Sequence, residues 1–173
     1  MVRRFTQGET ELRLAEPSRS AQFGQLPDLT LPVILECSVS GPIPARFAPA
    51  THAALRIAAG LAFMSHGLQK FGFLGGFGPD GGSVEMMSRF GIAAVIELVG
   101  GALIAVGFGT RWAAFIASGE MAVAYFWIHS GGGKILWWQN RGELVMLYSF
   151  VFLALSALGS GPASVDGALA KKK

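Results

Sequence analysis

A small set of titratable side chains interrupts stretches that are otherwise apolar. His66 and Lys70 fall within residues 51–71, Glu97 within 91–109, His129 within 111–130, and Glu143 opens 142–159; Arg56 and Glu120 lie in the first and third of these stretches. An ionisable group at the centre of a membrane-spanning helix costs about 2.5–3.5 kcal/mol on insertion scales, so such groups face a protein interior and find partners. Imidazoles among carboxylates and a lysine can hold a polar headgroup or relay protons, and quinone reduction or oxidation requires proton delivery. The plain structural alternative is that Lys70 with Glu97 or Glu143, and Arg56 with Glu120, are ion pairs that specify helix packing. His66 and His129 could also be read as facing haem ligands, but a histidine without a surrounding signature does not define one.

The elements that must carry these groups are helices. Each apolar stretch is close to the roughly 20 residues that span about 30 Å of hydrocarbon at 1.5 Å per residue. The sequence predicts an all-α membrane protein, an antiparallel four-helix transmembrane bundle preceded by a disordered N-terminal extension. In that arrangement His66, Lys70, Glu97, His129 and Glu143 share one leaflet. At about 100° per residue Arg56, His66 and Lys70 fall on one face of the first helix. Glu120 and His129 are half a turn apart on a straight third helix, so Glu120 is expected deeper, paired with Arg56 or facing a neighbouring subunit. Tyr125, Phe126, Trp127 and Tyr148 are aromatics that could stack on a ring, though packing is their commoner use.

Connections follow from glycine and aromatic placement. Gly109-Thr110 predicts a tight hairpin, with glycine past a helix end and Thr110 capping the next. Residues 72–90 and 131–141 form longer connections, the second carrying Trp137 and Trp138 in the manner of interface anchors. Gly100-Gly101 and the Ala113, Ala114, Ala117 face permit close helix approach, within the chain or in an oligomer.

The composition agrees: 51% hydrophobic and 14% charged residues, with mean hydropathy +0.47, are unusual for a soluble domain. The charges divide unevenly, ten of 25 lying in residues 1–47 and four in the C-terminal tail. Residues 1–48, with five of the eight prolines before position 48, read as disordered and make a poor signal peptide; an over-long gene start is the alternative. Residues 49–161 form the helical domain and 162–173 a basic tail, with Lys171–Lys173 suited to an anionic membrane surface. The net charge of +3 comes from scattered arginines and that tail, which does not make a nucleic-acid face. Cys37 is the only cysteine, excluding an internal disulfide, a CxxC pair and a cysteine metal site, and no metal is expected. Arg46, Arg111 and Lys171–Lys173 on one side, against Lys70, Arg89, Lys134 and Arg141 on the other, place both termini in the cytoplasm.

Taken in order, Leu55-Arg56, His66-Gly67-Leu68-Gln69-Lys70-Phe71, Glu97-Leu98-Val99-Gly100-Gly101, Gly109-Thr110-Arg111, His129 and Asn140-Arg141-Gly142-Glu143-Leu144 resemble the successive blocks of the DoxX family. The resemblance runs from about Pro49 to Asp166 and leaves the N-terminal region unmatched. It implies a multi-pass protein of the prokaryotic cytoplasmic (inner) membrane, similar to the small membrane subunit of a thiosulfate:quinone oxidoreductase, with quinone as candidate cofactor and redox or oxidative-stress proteins as partners. A non-catalytic scaffold for such partners is the alternative. Arg56, His66, Lys70, Glu97, His129, Asn140 and Glu143 occupy the family's motif positions.

Overall fold

The computed structural model describes residues 42–172. The disorder expected for the N-terminal extension concerns residues 1–41 almost entirely, which lie outside the described residues, as do Cys37 and Lys173. Among the described residues the architecture is helical, with a single isolated bridge between Phe77 and Gly82 in place of any sheet. Four long helices coincide with the four apolar stretches: α1 (Ala48–Lys70), α2 (Arg89–Val106), α3 (residues 110–129) and α4 (Glu143–Leu158). The α1 segment, counted from Ala45, and α2 are both long and apolar enough to cross a membrane. Little of either is buried within the chain, so each turns an apolar surface outward.

Local chemistry sets the helix limits. Pro49 sits in the first turn of α1, where its missing N–H is not needed. Ser88 caps α2, its hydroxyl accepting from the Gly91 N–H at 3.1 Å. The α2–α3 hairpin differs in detail from expectation. Gly107, at φ 77°, ends α2 in the left-handed region, and the Thr110 hydroxyl is buried with no hydrogen-bond partner, so it does not cap α3. The Gly109 N–H instead donates to the Asp166 carboxylate at 3.1 Å. Asp166 belongs to a short helix, Val165–Ala170, within the region expected to be a simple basic tail. Its own N–H donates to the Gly107 carbonyl at 3.0 Å, which fixes that segment against the hairpin.

The helices run antiparallel, because contacts climb one helix as they descend its neighbour. A Cβ on Gly60 would lie 2.6 Å from the Ala105 nitrogen, and one on Gly67 would lie 2.6 Å from that of Leu98. Gly101 meets the Met64 nitrogen from the opposite side at the same 2.6 Å. Small residues thus bring α1 and α2 into backbone contact along their length. On α3, the Ala114, Ala117 and Ser118 face packs against α4; Ser118 and Ser149 each donate a hydroxyl to the other's carbonyl, at 2.8 and 3.1 Å. Phe63 of α1 meets Phe152 of α4 edge-on with centroids 4.7 Å apart, and Ile104, Met121 and Leu155 complete the core.

Candidate functional site

Two polar centres lie at opposite ends of α1. Arg56 is 1% exposed and donates to the carbonyls of Ile104 at 2.7 Å, Ala105 at 2.6 Å and Ala163 at 2.6 Å. The first two acceptors are carbonyls of the last turn of α2, where Ile104 also accepts from the Gly107 N–H at 3.2 Å and a cation opposes the helix dipole. The Arg56–Glu120 pair expected from the sequence therefore does not form: both terminal nitrogens of the guanidinium donate to backbone oxygens that sequence spacing does not reveal, and its Nε is buried without a partner among the described residues. Arg56 ties α1, α2 and the C-terminal segment into one knot.

At the other end, Lys70 Nζ donates to both carboxylate oxygens of Glu97 at 2.6 Å, the one ion pair among the described residues. Glu97 is 2% exposed and sits in a π-helical stretch of α2, Ile96–Gly100. Such stretches are rare and recur at functional sites. The Lys70 ammonium also lies 5.6 Å from the Phe77 ring centroid, in cation–π range.

This ion pair lies on the wall of a cavity of about 630 Å³, large enough for a ring-sized ligand. His66, Lys70, Arg89, Glu97, Glu120, His129 and Tyr148 supply its polar and hydroxyl groups, with contributions from all four helices. The rest is mainly apolar, including Phe63, Phe90, Ile96, Met121 and Val145. The His66 ring stands edge-on to Tyr148 at 6.0 Å between centroids and has no hydrogen bond to another described residue. His129 Nδ1 lies 3.1 Å from the Asn140 carbonyl oxygen. Exposed lining residues include Ile92, Ile116, Val123 and Trp127 of α2 and α3 and Leu144 of α4, with Arg89 at the start of α2, so the cavity opens sideways through a mainly apolar surface.

Glu120 and His129 share this cavity despite their half-turn separation on an ideal helix. α3 ends in a π-helical turn, Tyr125–His129, closed by the Ser130 N–H on the Tyr125 carbonyl at 2.9 Å. The extra residue in that turn rotates the end of the helix by roughly 100°, bringing His129 round toward the Glu120 side.

Two expected members of the cluster stand apart. Glu143 is exposed and faces a separate surface hollow with Trp137, Trp138 and Arg141, because α4 starts beyond the connection and turns its first residue outward. The Asn140 side chain closes a turn, accepting from the Gly142 N–H at 2.7 Å and donating to the Lys134 carbonyl at 3.0 Å. It serves the site through its main-chain oxygen on His129. From α4 the cavity takes Tyr148 in place of Glu143. No group of three His, Cys, Asp or Glu side chains is arranged to hold a metal among the described residues.

Helices with outward apolar faces around a mainly apolar cavity that carries a few polar groups define a helical membrane protein with a candidate small-molecule site. The DoxX family model matches residues 51–130, from α1 through α3. A Haemophilus influenzae protein described only as uncharacterized is 39% identical over 134 residues, spanning 73% of this chain and 96% of the relative. No solved structure matches. The chain belongs to the DoxX family.

Proposed function

We propose that the chain is an integral subunit of the prokaryotic cytoplasmic membrane, its four helices forming a transmembrane bundle with both termini in the cytoplasm. Its cavity would hold a quinone headgroup in support of a quinone-linked oxidoreductase, with electrons exchanged through a soluble redox partner. The observation that carries this reading is the gathering of an ion pair, two imidazoles and a further carboxyl on the wall of one apolar cavity with a lateral opening.

The residues fit such a group. Lys70 has three N–H donors and gives two to Glu97, leaving one for a ligand oxygen. His66 can give or take a proton at either ring nitrogen. Tyr148 and Phe63 offer aromatic surface to a ring, and the opening lets an apolar tail stay among lipid chains. When bound, the quinone supplies the two-electron chemistry; the protein orients it and exchanges protons with it.

The test is purification of the full chain in mild detergent, with identification of extracted lipid-soluble cofactors and co-purified proteins. Bound quinone is expected. His66→Ala and Glu97→Gln should each lower quinone-linked activity of the membranes by tenfold or more. No quinone, together with unchanged activity in both variants, overturns the proposal and leaves the scaffold role, in which partner recovery tracks bundle stability alone.

A further inference from the structure

We infer that the cavity prefers the reduced, hydroxyl-bearing form of its ring ligand over the oxidised dione, and that Glu120 makes the distinction. This inference rests on the quinone reading and adds the form of the ligand and the residue that selects it.

Glu120 lies near the middle of α3, on the cavity wall, and its Oε2 is buried without a hydrogen-bond partner among the described residues. No ion pair reaches it among the described residues, and Arg89 on the cavity wall lies over the Phe90 ring, 5.4 Å from its centroid. Lys70 is bound to both oxygens of Glu97, and Arg56 is spent on three backbone carbonyls. A buried acceptor without a donor carries a desolvation penalty that a ligand donor removes. The position of this acceptor on a cavity wall makes a ligand the natural source of that donor.

The hydrogen-bonding inventory then separates the two ring forms. A hydroxyl both donates and accepts, so it satisfies a carboxyl in either protonation state. A dione oxygen only accepts, and satisfies the carboxyl only when a proton is already on it. The Lys70 end of the cavity does not discriminate, since an ammonium N–H can be accepted by a hydroxyl or a carbonyl oxygen alike. Selection therefore falls to Glu120. A site built to hydrogen-bond a hydroxyl rejects an analogue lacking it, because its own polar group is left unpaired.

The test uses the full chain in detergent under anaerobic conditions, with a short-chain benzoquinol and the matching benzoquinone as probes and quenching of tryptophan fluorescence as readout. Trp127 on the cavity wall supplies a local reporter. In alkaline buffer, with Glu120 ionised, the benzoquinol should bind at least about tenfold tighter, in line with a hydrogen bond to a charged group; at lower pH the preference should shrink, because a proton on the carboxyl lets it donate to the dione. Glu120→Ala should abolish that preference by weakening the benzoquinol alone, and Glu120→Gln, which keeps a carbonyl acceptor, should restore part of it. Equal affinities in the unaltered protein overturn this inference and leave the quinone reading standing. Failure of both probes to bind overturns both. The ratio in the unaltered protein decides the matter even where Glu120→Ala does not fold.

Discussion

Lys70 reaches both carboxylate oxygens of Glu97 at 2.6 Å from one turn beyond Gly67, the glycine that lets α1 come into contact with the Leu98 backbone of α2. The ion pair and the close approach are one arrangement: without the bare backbone at Gly67, the two helices could not stand near enough for the pair to close. Breaking one side should leave an uncompensated buried charge. Lys70→Met or Glu97→Leu alone should cost about 3–5 kcal/mol of stability, while the double variant should recover most of that loss. Unfolding by SDS titration of the three proteins measures the difference, and a double variant as unstable as the singles would contradict it.

The α1–α2 seam should tolerate no side chain. At Gly60 and Gly101 a Cβ would lie 2.6 Å from a backbone nitrogen, which cannot swing aside. Gly60→Val or Gly101→Val should destabilise by about 1–3 kcal/mol or more through overpacking. Gly119, with open space around its Cβ position, is the control, and Gly119→Ala should leave the unfolding midpoint nearly unchanged.

Arg56 holds the C-terminal segment as well as α2. Arg56→Gln should free the Ala163 carbonyl and two carbonyls of α2, at about 1.5–3 kcal/mol for the charge-assisted bonds. Hydrogen–deuterium exchange should speed up over residues 161–170 more than over α4. A uniform rise across the whole chain would mean that Arg56 supports only global stability.

The reciprocal Ser118–Ser149 bonds should contribute little. Interhelical hydrogen bonds in membranes average about 0.6 kcal/mol, so Ser118→Ala with Ser149→Ala should lower stability by about 1 kcal/mol. A loss several times larger in the same SDS titration would show that the two hydroxyls specify the α3–α4 register.

Helix positions were legible in the sequence because apolar length is a direct physical signal. Each of the four helices begins and ends within three residues of its stretch. The Lys70–Glu97 pair was legible among alternatives, since both residues fall at one end of neighbouring helices. What escaped depended on backbone detail. Spacing gives Glu120 and His129 opposite faces only if α3 keeps one pitch, and the turn at Tyr125–His129 breaks that assumption. The partners of Arg56 are carbonyls, which have no sequence identity to read. Glu143 and Tyr148 are five residues apart on α4, and the direction in which its first turn faces comes from the 131–141 connection, whose path sequence pattern does not define. The recurrence of Ile116, Glu120, Val123 and Trp127 at helical spacing was the available sign that Glu120 shares a face with the cavity wall.

The sideways mouth of the cavity, edged by Ile92, Ile116, Val123 and Trp127, changes what binding measurements on this protein mean. A ligand arriving through that mouth is drawn from the two-dimensional reservoir of the bilayer, so occupancy follows its mole fraction among lipids. Two molecules with identical fit but different oil–water distribution will show different aqueous dissociation constants. Detergent monomers, which share the same doorway, will act as competitors.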